Sequence, residues 1–115
     1  MTGAELNLAF AREVAGYPDA KWDHSYDIPV LTSGVDEPVF DGSRVGQRIL
    51  PDYASDWNAT IAVLEHRGMS WGTEYVGGQK YFWVESGSLF KIEEGKGPSA
   101  LMLAAVKCVR EQGNG

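Results

Sequence analysis

Aromatic and acidic side chains are concentrated between residues 71 and 95, and they are the residues of this chain most suited to binding chemistry. Trp71, Tyr81 and Trp83 offer flat rings on which a base, a cation or an apolar group can stack. Glu85 adds a carboxylate beside them. These four residues form the candidate site for a ligand or a partner. Glu74 and Glu85 are also the carboxylate pair to consider for acid–base work, although solvent-facing strand acids are the favoured interpretation.

Other catalytic or metal-binding patterns are weak. Cys108 is the only cysteine and lies in an apolar helical pattern with no histidine nearby, which favours a packed thiol over a nucleophile. Asp23, His24 and Asp27 share one segment, but alternation in an extended chain would direct Asp23 and His24 to opposite sides. No catalytic residue, cofactor or metal site is therefore predicted.

Three strands must position the aromatic residues. Alternating patterns and glycine turns predict strands over 71–76, 80–85 and 89–93, joined as a meander. With 86–88 as the second loop, Val84 lies opposite Phe90 and Phe82 lies opposite Ile92, which makes one face fully apolar. A slip of one residue would bring Lys91 into that face. The opposite face is then predicted to carry Tyr81, Trp83, Glu85, Leu89, Lys91 and Glu93.

The N-terminal helix is predicted from Leu6, Phe10 and Val14, which recur every four residues and form one apolar stripe. Thr2 is its candidate N-cap, and Gly16 is suited to the left-handed position that ends it.

The second helix is predicted to follow Ser55 as its N-cap and to end at Gly68. Trp57, Ile61 and Leu64 form its buried stripe.

The last helix is predicted to open at Pro98. Its apolar arc is wide enough to contact both the sheet and another helix. The arc consists of Leu101, Met102, Ala105, Val106, Cys108 and Val109.

A long irregular loop is predicted from about residue 18 to 53, where three of the five prolines fall between 29 and 51. Within it, 28–31 and 39–40 are candidate extended pieces. Trp22, Tyr26 and Phe40 are its expected anchors. A partner surface is predicted on this loop at Asp36, Glu37 and Asp41.

The fold predicted from this order is a single α+β domain over residues 1–115, with a three-stranded antiparallel meander sandwiched by helices. Packing under the first helix is the favoured interpretation for Tyr81 and Trp83, while a small-ligand or peptide pocket stays open. If no helix covers that face, a dimer is the simplest cover.

Composition limits the partners. Sixteen acidic and ten basic residues give a net charge of −6, which disfavours general binding to nucleic-acid backbone and permits a basic protein partner. The single cysteine suits a reducing cytoplasm. No secretory signal or membrane-spanning run is recognised, so a cytoplasmic location is expected.

Three stretches occur in a recognisable order: AGY at 15–17 with Trp22 soon after, LPDYASDWNATIAVLEHRG at 50–68, and GPSALMLAA at 97–105. Their order resembles that of the small phage and prophage proteins called phage ABA sandwich domain proteins. The resemblance implies a helix–sheet–helix sandwich encoded in temperate phages. It implies no shared activity or cofactor, and no catalytic residue is carried over.

Two functional hypotheses follow. The first is a non-enzymatic phage accessory protein that binds a macromolecule, one form of which is an inhibitor of a host defence complex with a basic nucleic-acid channel. The second is a protein that binds or sequesters a small nucleotide-like molecule by stacking on Trp71, Tyr81 or Trp83.

Overall fold

The computed structural model describes residues 3–23, 28–31 and 48–114, which form three helices and two three-stranded antiparallel sheets. The α+β class and the predicted order of helices and meander are confirmed. The helices are α1 (Gly3–Ala9), α2 (Trp57–His66) and α3 (Pro98–Asn114). The strands are β1 (Ala20–Asp23), β2 (Ile28–Leu31), β3 (Arg48–Ile49), β4 (Ser70–Val76), β5 (Gln79–Ser86) and β6 (Leu89–Glu94).

Helix α1 continues into a wider π-helical turn, Phe10–Val14, in which the N–H of Ala15 donates to the carbonyl of Phe10 at 2.9 Å. The predicted stripe is confirmed, because Leu6, Phe10 and Val14 are all buried. Gly16 has a φ of +89°, so it takes the predicted left-handed position after the helix. The predicted N-cap, Thr2, lies outside the described residues.

The small sheet lies within the segment predicted as a long loop. Strand β2 pairs with β1 on one side and with β3 on the other, and its position matches the predicted extended piece at 28–31. Trp22 lies on β1 and is half-buried. The other expected anchors, Tyr26 and Phe40, lie outside the described residues, as does the predicted partner surface at Asp36, Glu37 and Asp41.

Helix α2 begins one residue later than predicted. Asp56, not Ser55, is the N-cap: its backbone is extended and its carboxylate accepts the N–H of Ala59 at 3.1 Å. The Ser55 hydroxyl instead donates to the carbonyl of Asp52 at 3.3 Å. Serine and aspartate are both suited to capping a helix, so the sequence alone does not distinguish Ser55 from Asp56. The extended φ and ψ angles of Asp56 identify it as the N-cap.

The buried side of α2 also differs from the predicted stripe. Thr60 and Leu64 are fully buried, and the Thr60 hydroxyl donates to the carbonyl of Tyr53 at 2.8 Å. Ile61 is half-buried, whereas Trp57 is 36% exposed. Gly68 has a φ of +71° and ends the helix as predicted.

Helix α3 begins at Pro98 and packs against β5, β6 and the first helix, so the predicted double contact of its apolar arc is confirmed. Within the described part of the chain, no helix is long and apolar enough to cross a membrane. The buried residues of α3 are Pro98, Ala100, Leu101, Met102, Ala104, Ala105, Val106 and Cys108.

The predicted register of β5 and β6 is wrong by one residue. Ser86 pairs with Leu89 around a two-residue turn, so Val84 lies opposite Lys91 and Phe82 lies opposite Glu93. Phe90 and Ile92 therefore lie on the other side of the sheet. We call the side that contains Phe82 and Val84 the covered face, because α3 packs on it, and the opposite side the open face.

Charged residues on the covered face are tolerated because α3 provides partners for them. Lys91 forms an ion pair with Glu111, and Glu93 forms one with Lys107. The hydrogen bond to Glu111 raises the pKa of Lys91 above its ordinary value. The turn also favours this register, because Gly87 has a φ of +61° and two-residue hairpin loops need positive φ values.

Candidate functional site

Three rows of side chains on the open face cross all three strands β4, β5 and β6. Neighbouring strands lie about 4.8 Å apart, so residues of one row are direct cross-strand neighbours. From one end of the sheet to the other, the rows are Glu74, Tyr81 and Glu94; Gly72, Trp83 and Ile92; and Ser70, Glu85 and Phe90.

Trp83 occupies the centre of this face and extends towards both edge strands. A Cβ atom at Gly72 would lie only 2.4 Å from Cζ2 of Trp83, so the indole fills the space that a side chain on β4 would need. The Trp83 ring also stacks on the Phe90 ring, with centroids 5.8 Å apart and planes 26° apart. The glycine therefore permits the tryptophan to lie across the sheet.

The apolar part of the open face is accessible. Phe90 is 52% exposed and Ile92 is 44% exposed, while Tyr81 and Trp83 are half-buried. The prediction that the first helix covers this face is wrong, because α1 packs against α3 and against the small sheet. Scattered exposed apolar residues are ordinary, but a contiguous group of them indicates an interaction surface.

Acidic residues border the apolar group. Glu74, Glu85 and Glu94 are exposed, and none of them forms an ion pair with another described residue. No lysine or arginine occupies an open-face position in the three described strands. The open face therefore combines an apolar centre with a negative border.

The structure separates the four predicted site residues. Tyr81, Trp83 and Glu85 share the open face. Trp71 pairs with Val84, lies on the covered face and packs against the core. Glu74 and Glu85 are two rows apart, about 13 Å along the strands. The two glutamates are therefore not cross-strand neighbours.

Sequence reasoning missed Phe90, Ile92 and Gly72 as parts of this face. The first two were missed because the register was one residue off. Gly72 had a readable signal, because a glycine inside a strand often marks the close approach of another group.

Cys108 is placed as a packed thiol. It is fully buried, its Sγ lies 3.7 Å from the carbonyl oxygen of Val84, and burial raises the pKa of the thiol above its ordinary value. A raised pKa keeps the sulfur protonated and weakly nucleophilic at neutral pH. The described residues contain no group of three side chains able to hold a metal ion, and His24 and Asp27 lie outside them.

A groove lies at the end of the sheet, beside the β4–β5 turn. This groove has a volume of about 580 Å³, within the range of small-molecule sites. Tyr75 is 71% exposed beside it, and the Nζ of Lys80 lies 5.8 Å from the centroid of the Tyr75 ring. Lys96 and Glu94 also line the groove, so it contains charges of both signs.

Searches against protein-family models, curated proteins and solved structures found no match to this chain. Its function is therefore inferred from the geometry and charge of its surfaces.

Proposed function

We propose that this protein is a non-enzymatic accessory protein that binds another protein through the open face of the β4–β6 sheet. The observation that carries the proposal is the contiguous apolar group of Trp83, Phe90 and Ile92, accessible on a face that no described helix covers. Buried aromatic side chains supply much of the binding energy at the centre of protein interfaces.

The charge of the face selects among partners. Nucleic acid would bring phosphates against Glu74, Glu85 and Glu94, and like charges repel. A second copy docked on the same face would bring two negative borders together. A protein partner with an apolar contact surrounded by basic residues would complement both the apolar centre and the negative border of the open face.

The resemblance to phage ABA sandwich proteins supports a phage or prophage setting inside a bacterial cell. The specific form that we propose is an inhibitor of a host defence complex, because the basic nucleic-acid channel of such a complex would complement an acidic face.

Site-directed photo-crosslinking in bacterial cells tests the open face. A benzoylphenylalanine placed at Ile92 is expected to give one discrete adduct, and the same group at the exposed Glu65 of α2 is expected to give none. Unlabelled wild-type protein should compete for the adduct, whereas an I92E variant should not. Equal adducts at both positions, or an adduct with the mass of two copies, would contradict the proposal.

Small-molecule binding is the second candidate function, and the groove beside Tyr75 is the observation that favours it. A nucleotide-like ligand could stack on the Tyr75 ring and place its phosphates near Lys80 and Lys96. Thermal unfolding in the presence of a nucleotide panel is the test, since ligands that bind the native state raise its stability. A wild-type shift that a Y75A variant lacks would support this function, and no shift with any nucleotide would exclude it for that panel.

A further inference from the structure

We propose that the occupant of the open face is an arginine-bearing segment of the partner, with guanidinium groups held against Tyr81 and Trp83 by the surrounding glutamates. This inference rests on the proposed function and names the chemistry of the partner at that face.

The first row provides the clearest position for a cation. Tyr81 lies between Glu74 on β4 and Glu94 on β6, with one strand spacing of about 4.8 Å on either side. All three side chains leave the sheet on the same side, so a cation above the tyrosine ring has a carboxylate in reach on each flank. Cations are attracted to the faces of aromatic rings, and nearby carboxylates add to that attraction.

The second and third rows extend the same arrangement. Glu85 follows Trp83 by two residues on β5, so both side chains leave the open face about 7 Å apart. Trp83 is held in position by contact with Gly72 on one side and by stacking on Phe90. A ring fixed before binding loses little conformational entropy when a ligand stacks on it.

Arginine fits this combination better than lysine. Its planar guanidinium can stack on an aromatic ring while its N–H groups pair with a carboxylate at the ring's edge. A lysine ammonium is a compact and more strongly hydrated charge, and it cannot stack. The apolar side chains of Phe90 and Ile92 are then available for the aliphatic part of the arginine and for apolar neighbours in the segment.

The experiment uses the full chain and a synthetic peptide in which three arginines alternate with leucines. Two control peptides replace every arginine by lysine or by citrulline, the neutral isostere. Binding is followed by NMR through the indole N–H signals of the four tryptophans. The signal of Trp83 should move with the arginine peptide. The signal of Trp57, which contacts Phe82 on the covered side of the sheet, should stay unchanged.

The arginine peptide is expected to have the lowest dissociation constant of the three peptides. The citrulline peptide should bind about tenfold more weakly than the arginine peptide, because several partly exposed ion pairs are lost together, and the lysine peptide should fall between them. An E74Q/E94Q double variant should weaken the arginine peptide by a similar factor. The matched control is E65Q, which removes one exposed glutamate from α2 and should leave the affinity unchanged.

The outcomes separate this inference from the proposed function. Equal binding of all three peptides, or no movement of the Trp83 signal, would overturn the arginine inference. If the crosslink at position 92 persisted in that case, protein binding by the open face would stand with a different partner chemistry. Loss of the crosslink together with a positive peptide result would instead leave a cation-binding face without a cellular protein partner.

Discussion

The two faces of the β4–β6 sheet use the same strands in opposite ways. On the covered face, Glu93 is paired with Lys107 of α3, whereas the next residue, Glu94, lies on the open face without an ion-pair partner among the described residues. Phe82 is 1% exposed under the helices, whereas Phe90 is 52% exposed. A residue's type therefore does not reveal its role in this sheet. The presence or absence of a packed helix decides whether an aromatic ring stabilises the fold or is available for binding.

Truncation of the two phenylalanines should give the largest difference between the faces. We expect F82A to lower the free energy of unfolding by about 3–5 kcal/mol, because it leaves a cavity under α3. It also removes a ring whose centroid lies 5.4 Å from that of Trp57. We expect F90A to cost about 1 kcal/mol or less, since half of that ring is already in water. Urea unfolding of both variants measures the difference.

An equal loss of unfolding free energy in F82A and F90A would contradict the difference between the two faces. It would mean that the open face is buried in solution, for which a second copy of this chain is the simplest cause. Unfolding at several protein concentrations decides that point, because a dimer becomes more stable as concentration rises.

The contact between Gly72 and Trp83 should give an intermediate effect. A G72A substitution places a Cβ where the indole lies, and the ring must rotate away from β4. We expect a loss of about 1 kcal/mol, at the low end for overpacking because the ring can move towards solvent. The Trp83 indole signal should shift and arginine-peptide binding should weaken. The control is G113A in α3, where no atom of the described residues lies within 4 Å of the added methyl group, so no stability should be lost.

The sequence predicts the helices and the first hairpin turn because their signals are local. Leu6, Phe10 and Val14 repeat at helical spacing, and Pro98 is a typical first residue of a helix. The Gly77–Gly78 turn is also a short-range signal, and both glycines have the expected positive φ values. Each of these features depends on residues within a few positions of one another.

The open face could not be predicted in the same way because it depends on contacts distant in the chain. The apolar pattern of β5 and β6, taken alone, favours Phe90 and Ile92 as core residues and therefore predicts the wrong register. The deciding factor was α3, whose Glu111 pairs with Lys91 from twenty positions along the chain. A charged residue can lie on a covered face when another element supplies its ion-pair partner. The alternation pattern within one hairpin does not indicate whether such a partner exists.

The smallest effect that we expect comes from the neighbouring glutamates, and it tests the role of charge on each face. E93Q should lower stability by about 0.5 kcal/mol at low salt, because it weakens a partly exposed ion pair with Lys107, and the loss should shrink as salt screens the pair. E94Q should cost nothing, since it removes an acid that has no ion-pair partner among the described residues from a chain of net charge −6. Paired urea titrations at low and high salt measure both values. A salt-sensitive loss in E94Q would show that Glu94 has a cationic partner within the folded chain, and the open face would then be less available to the arginine segment than its described contacts indicate.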